Sequence, residues 1–157
     1  MSKDFKIKLD AKGQDFFTGV LPNVERAMKR GINQGLHQAG FNLVKTAKDG
    51  IQRGPKTGRV YTRKGRKKRA SAPGEYAGIV TGDYLAAMSF EVHGASEMEF
   101  GNQDFKATYL ELGTRNKDGG VRMAPRPALT LSVEVRQKDT LEVLRTAGIR
   151  EVEKLGK

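Results

Sequence analysis

The chain reads as an α+β fold: a long N-terminal helix and a C-terminal helix packed on a small, mainly antiparallel β-sheet, with a long, basic, mobile loop. Three observations predict it. From Pro22 to Asp49, apolar and small residues recur every three or four positions. From Ser89 to Gly101, the residues alternate with the period of strands around a Gly94-Ala95-Ser96 turn. Between Gly50 and Gly74 periodicity vanishes and nine Lys or Arg residues appear without one Asp or Glu. The 157 residues are read as one domain, 1–157, with a flexible basic loop at about 51–78.

Taken in order, Phe5, Ile7 and Leu9 alternate with Lys6, Lys8 and Asp10, the pattern of a half-buried strand. Phe16 and Phe17 then anchor a polar connection to the core. In the first helix Val24, Met28, Gly31, Gly35, Ala39, Leu43 and Ala47 define a face, widened by Ala27, Ile32, Leu36 and Val44. Glycines in a helix cost about 1 kcal/mol each relative to alanine. Gly31, Gly35 and Gly40 therefore mark either a narrow face where another backbone comes close or a frayed helix. Gly50 is the expected stop.

Residues 51–78 read as a structureless loop, which at this length is usually functional or disordered. Thr81-Gly82-Asp83 opens a short helix with Tyr84, Leu85 and Met88 on one face. Strands at Ser89–His93 and Glu97–Gly101 follow. Phe105 to Leu112 fits a strand or a short helix. The last helix runs from Pro127, a first-turn proline, to Leu155. Its core candidates are Leu131, Val135, Leu141, Leu144 and Ile149, with a break at Gln137 to Thr140 and a bend at Gly148 as further readings.

Composition excludes several functions. There are no cysteines, hence no disulfides, thiolate zinc sites or cysteine nucleophiles. No apolar run approaches the roughly 20 residues that cross a bilayer, so no membrane partner is expected. The first residues lack a signal peptide's apolar core, which points to cytosolic synthesis. Of the net charge of +11, the window from Gly50 to Gly74 supplies nine, leaving only +2 for the rest. The protein is thus a nearly neutral body with a strongly basic loop.

Candidate chemistry is sparse. Gly54-Pro55-Lys56-Thr57 superficially suggests a phosphate loop, but Pro55 removes a backbone donor and the segment follows a helix. His37 and His93 lie in different elements and have no thiolate companions for zinc. Glu111, set between Leu110 and Leu112, is the most interesting acid. As a general acid or base it lacks a second catalytic group nearby, whereas a salt bridge or bonds to loop N–H groups satisfy it. Asp83 is a helix-terminus residue. The chain is read as no enzyme, with no cofactor and no metal. The basic residues Arg59, Arg63, Lys64, Arg66, Lys67, Lys68 and Arg69 fit contact with phosphate or another acidic surface, or else a solvated loop. Tyr61 is the only aromatic among them, too few for a base-stacking platform.

The most distinctive stretch runs from Tyr109 to Leu131. Leu110-Glu111-Leu112-Gly113-Thr114 is followed, across a Gly-rich loop, by Met123-Ala124-Pro125-Arg126-Pro127-Ala128-Leu129. Each proline fixes φ and lacks a donor, so the second part is a rigid corner before a helix. Upstream stand Ala72-Pro73-Gly74-Glu75, then Thr81-Gly82-Asp83-Tyr84-Leu85 and Ser89. Together these strings resemble the neck or tail-completion proteins of long-tailed bacteriophages, often named minor tail components or head–tail joining proteins. Order and spacing agree across roughly residues 20–150. There are two departures: an extra residue between Gly82 and Leu85, and Ala128 in place of a bulky aromatic.

The resemblance implies a virion structural protein of the neck or upper tail, made in the host cytoplasm and assembling with copies of itself as a ring. Implied neighbours are head-completion, tail-terminator or tail-tube proteins, with DNA in the channel as a further contact. Glu111, Gly113, Thr114, Met123, Pro125, Arg126 and Pro127 would then shape the fold or an inter-subunit contact, and the basic loop would be an assembly arm. The alternative is a small basic nucleic-acid-binding protein, warranted by a pI near 10.0 and the basic run.

Overall fold

The computed structural model describes residues 19–78 and 82–156. The strand expected at Phe5 to Leu9, the Phe16-Phe17 anchor and Thr81 lie outside the described residues. The architecture is α+β, as the sequence predicts, but its strands form three separate two-stranded antiparallel sheets in place of one.

Helix α1 (Leu21–Arg53) runs for 33 residues, about 50 Å at 1.5 Å per residue. Pro22 stands in its first turn, where a missing N–H costs nothing. Its buried face is Ala27, Gly31, Gly35, Leu36, Ala39, Gly40, Leu43, Ala47 and Ile51. This follows most of the expected stripe, but Met28 is exposed, Val24 is only half-buried, and Ile51, assigned to the loop, extends the face by another turn. Gly50 is not the stop: the helix continues through it, and the Tyr76 ring covers the space a side chain would need. The chain leaves the helix at Gly54, extended as a residue before proline must be, with its N–H donating to the Gly50 carbonyl at 2.9 Å.

The segment expected to be structureless carries a hairpin, β1 (Val60–Arg63) with β2 (Arg66–Arg69). Lys64 and Gly65 both have positive φ, 49° and 71°. That is the type I′ turn whose twist matches that of paired strands. Two further bonds extend the ladder, Gly58 N–H to the Ala70 carbonyl at 2.9 Å and Ala70 N–H to the Arg59 carbonyl at 3.0 Å.

After the short helix α2 (Gly82–Ala86) comes β3 (Met88–His93), paired in register with β4 (Glu97–Asn102). Met88, expected on the helix face, is the first strand residue and is buried. Phe105 to Leu112 resolves as a helix, α3 (Lys106–Leu112). The Gly-rich stretch is the tip of a small hairpin, β5 (Thr114–Arg115) with β6 (Val121–Met123).

Helix α4 (Leu129–Glu153) is unbroken through Gln137–Thr140 and begins two residues after Pro127, which lies outside it. A 3₁₀ turn, Lys154–Gly156, follows. Val135, Leu141 and Ile149 were expected in the core but are exposed, whereas Ser132, Gly148 and Glu151 are buried. The reason is steric. α4 runs antiparallel against α1 so closely that small residues, not large ones, fill the seam. A Cβ on Gly31 would collide with the Ala147 carbonyl and the Gly148 backbone, and one on Gly35 would press on Leu144 and Ala147. Close backbone approach, not fraying, explains these two glycines. Arg136 Nε donates to Thr46 Oγ1 at 2.8 Å towards one end of the seam, and Arg30 faces Glu151 at 3.9 Å towards the other.

A buried cluster joins Ala47 and Ile51 of α1 to Tyr84, Met88, Ala107 and Ala128, with Val44, Tyr76, Leu85, Phe100, Leu110 and Leu129 packed around it. One surface of β3–β4 lies on α1, where Phe90 fills the notch left by Gly40. Phe41 meets the Phe90 ring edge-on at 5.0 Å. The hairpin's turn reaches Asn33, whose amide donates to the Gly94 carbonyl at 2.7 Å.

Gly31→Val is therefore expected to destabilise the protein by about 1–3 kcal/mol, because α1 and α4 must separate. Lys45→Ala, on the exposed side of α1, should change stability by less than about 0.5 kcal/mol. Equilibrium denaturation of the two variants checks the pair; equal effects would count against the close seam.

Candidate functional site

α4 has no side-chain cap of its own, and Ala128 stands at its N-cap. Four orphan N–H groups at a helix start need partners. Glu111, near the end of α3, supplies them from a distance. One carboxylate oxygen accepts the Ala128 and Leu129 N–H groups, each at 2.7 Å, and the other accepts the Thr130 hydroxyl at 3.1 Å and its N–H at 3.4 Å. A carboxylate is favoured here twice, by hydrogen bonding and by the positive end of the helix dipole. Of the roles open to Glu111 in sequence, bonds to backbone N–H groups are the one the fold uses.

Around Glu111 the other motif residues form one corner. Gly113 ends α3 with φ 71°, and a side chain there would run into the Met123 carbonyl and the Pro125 ring. Thr114 pairs with Met123 to start the β5–β6 hairpin. Pro125 and Pro127 have no N–H to donate, so Arg126 carries the polar links between them. Its N–H donates to the Leu110 carbonyl at 2.7 Å and its Nε to the Ser71 carbonyl at 3.0 Å. The Pro125 carbonyl accepts the Gly74 N–H at 3.0 Å. The two strings that carry the family resemblance, some 40 residues apart in sequence, thus meet in space.

Glu75, unremarked by sequence reasoning except as part of a motif, ties this corner to the basic hairpin. Its carboxylate accepts the Thr57 hydroxyl, the Thr57 N–H at 3.1 Å and the Ala72 N–H at 2.7 Å. The Thr57 hydroxyl first, and then the Ala72 N–H, hold its pKa below the usual carboxylate value. In the Gly54 to Thr57 segment it is thus Thr57 that is held by this carboxylate. Lys56 turns inward, donating to the Gly50 carbonyl at 3.4 Å and the Tyr76 carbonyl at 3.3 Å, and burial lowers its pKa.

Every strand residue of the β1–β2 hairpin is exposed. Alternation places Tyr61, Arg63, Arg66 and Lys68 on one face and Val60, Thr62, Lys67 and Arg69 on the other. Lys64 sits in the turn and Arg59 just before β1. Between hairpin and corner lies a cleft of about 600 Å³, with Ile51, Leu110 and Met123 among its lining and Lys56, Arg63, Lys68, Arg69 and Arg126 as its cations. Among the described residues no carboxylate lines it. The predicted site residues thus divide into two groups, a corner that fixes geometry and an arm that presents charge.

Elsewhere, no three His, Asp or Glu residues gather as a metal-ligand cluster among the described residues, and no described helix is long and apolar enough to cross a membrane. Phe105, at the N-cap of α3, and Leu112, its last residue, remain 73% and 74% exposed, with Tyr109 half-exposed between them. Their spacing brings them onto one helix face. Comparison with family models, curated proteins and solved structures returns no match.

Removing the carboxylate by Glu111→Ala should cost about 1–2 kcal/mol through loss of the cap, with Glu111→Gln recovering part of it; denaturation midpoints measure both. A second expectation concerns Tyr84, fully buried, with a hydroxyl that has no partner among the described residues. Burial, helped by the charges of Glu111 and Asp104, pushes its pKa up to about 12. The unfolded chain ionises this tyrosine near pH 10 and the folded one later. Its contribution is thus complete below about pH 10 and is lost as pH rises to about 12, at up to about 1.4 kcal/mol per pH unit. Tyr84→Phe should remove that alkaline slope and leave stability at pH 7 equal or higher, since no hydrogen bond is sacrificed. A marked loss of stability at pH 7 would show that the hydroxyl has a partner.

Proposed function

We propose that this chain is a non-enzymatic structural subunit of a long-tailed phage particle, forming with its own copies a ring in the neck or upper tail that helps join the head to the tail. The observation that carries the reading is the corner. The two separated strings resembling neck and tail-completion proteins are tied to one another by Gly74, Pro125, Arg126 and Ser71. That is what a shared structural core would require of them. The corner in turn roots a charged arm on a body that is close to neutral. The exposed Phe105, Tyr109 and Leu112 face of α3 adds apolar surface of the kind that marks protein contacts. Neighbouring head-completion, tail-terminator or tail-tube proteins are the partners on this reading.

The nine cations between Gly50 and Gly74 favour a second reading, a small nucleic-acid-binding protein. It requires binding to random duplex DNA that weakens steeply with salt, by about 0.9 in log–log slope per phosphate neutralised.

The deciding experiment deletes the gene from the phage that carries it and images the lysate by negative-stain electron microscopy. Filled heads with separate or malformed tails are expected, and a plasmid copy should restore particles. Intact, infectious particles without the gene would sink the structural reading. A copy lacking residues 60–70 should yield a folded protein of unchanged melting temperature that fails to restore assembly, because this hairpin lies outside the buried core.

A further inference from the structure

The basic arm has a counterpart on the same chain. From Met88 to Gln103 there are three glutamates, Glu91, Glu97 and Glu99, and no Lys or Arg. All three are exposed and alternate with the residues that face α1, so they share the outer face of the β3–β4 hairpin with His93. Register makes the arrangement specific. Glu91 lies directly opposite Glu99, and His93 opposite Glu97 two residues further along. On the basic hairpin Arg63 lies directly opposite Arg66, and Tyr61 opposite Lys68 two residues further along. Each face therefore presents a doubly charged pair and, about 7 Å away along the strands, a pair with a third charge of the same sign.

Like charges directly opposite one another destabilise a hairpin. Among the described residues, Glu91 and Glu97 have no ion-pair partner, Glu99 meets only His93 at 3.6 Å, and Arg63, Arg66 and Lys68 meet no carboxylate. Each face lacks the charges that the other offers.

The two faces are far apart along one molecule. The β3–β4 turn is tied to Asn33, and Phe90, beside Glu91, rests on Gly40. The basic hairpin leaves α1 beyond Gly54. The separation along the helix is about 20–30 Å. Two different faces at two different places allow a head-to-tail contact when copies meet, and such heterologous contacts close into rings or run on as filaments.

We propose that the partner of the basic hairpin is the outer β3–β4 face of a second copy of this chain, with Arg63 and Arg66 against Glu91 and Glu99, and Lys68 against Glu97. The inference rests on the reading of the chain as a ring subunit and specifies which surfaces meet. Of the acidic partners available to the arm, this one is favoured because its charges repeat the arm's own spacing.

The test uses the full chain and two charge reversals: Arg63→Glu/Arg66→Glu/Lys68→Glu, and Glu91→Lys/Glu97→Lys/Glu99→Lys. Sedimentation velocity over a concentration series should show the wild type self-associating, at least tenfold more weakly when salt rises from about 50 mM to about 500 mM. Each reversal alone should sediment as a monomer, and a one-to-one mixture of the two should associate again, since each then carries what the other needs. Circular dichroism melts establish that both variants are folded. Independently of any variant, carbodiimide cross-linking of unlabelled with ¹⁵N-labelled wild type should join Lys68 of one copy to Glu97 or Glu99 of another.

Association that is indifferent to both reversals would overturn this contact and leave the ring reading standing. Monomers at every concentration, or a mixture that fails to associate, would overturn it as well. The ring reading is then decided separately by the gene-deletion phenotype. Wild type that retains random duplex DNA but shows no mixed-isotope cross-link would assign the hairpin to nucleic acid instead.

Discussion

The approach of α4 to α1 at Gly31 and Gly35 is the constraint on which the remaining structure depends. With a hydrophobic fraction of 37%, the chain has few large apolar side chains to bury. Six of the buried core residues are alanines, Ala27, Ala39 and Ala47 in α1 and Ala77, Ala107 and Ala128 elsewhere. Small residues provide little transfer free energy each. What they allow is proximity, and dispersion between closely packed backbones adds up over a long seam. The polar groups at the margins of the seam follow from it. Arg136 bonds Thr46 towards one end of the seam, and Glu151 meets Arg30 and Lys154 towards the other. The cations around Glu151 hold its pKa down, with Lys154 the largest influence.

A helix that must slide into so narrow a seam needs a defined beginning, and Glu111 sets it. Because its carboxylate takes the N–H groups of Ala128 and Leu129, α4 begins there and not at Pro127. The start of α4 fixes which of its residues face α1. Helix register, corner and cap are thus one problem solved once, and the corner's rigidity passes through Arg126 and Ser71 to the root of the basic arm.

Periodicity made the long elements legible. The α1 stripe and the β3–β4 pair were readable because burial there follows the periods of helix and strand. Three features were not, each for its own reason. Gly50 reads as a stop because the ring of Tyr76, which takes its place in the packing, is 26 positions away in sequence. The β1–β2 hairpin has no buried face and hence no alternation to detect. Its signals are a turn whose left-handed positions are Lys64 and Gly65, and a root built by Glu75. The buried side of α4 was misjudged because size, not hydrophobicity, selects it: Ser132 and Gly148 fit where Val135 and Leu141 do not. For Glu111 the sequence left a salt bridge and bonds to backbone N–H groups both open, and the bonds to Ala128 and Leu129 depend on where α4 begins, which the sequence around Glu111 does not show.

Charge and stability are placed in different parts of this molecule. The core cluster draws on α1, α2, β3, α3 and the segment opening α4, and neither Arg63, Arg66 and Lys68 nor Glu91, Glu97 and Glu99 takes part in it. An arm with Arg63 opposite Arg66 costs some local stability, and so does a face with Glu91 opposite Glu99. A fold can carry such costs only where something else holds the backbone. Here Glu75 grips the root of one hairpin, while Gly40 and Asn33 seat the other on α1. Clustering charges of one sign serves the isolated chain poorly, since mixing the signs would relieve both hairpins. It serves recognition well, because a face that is frustrated alone gains most when its complement arrives.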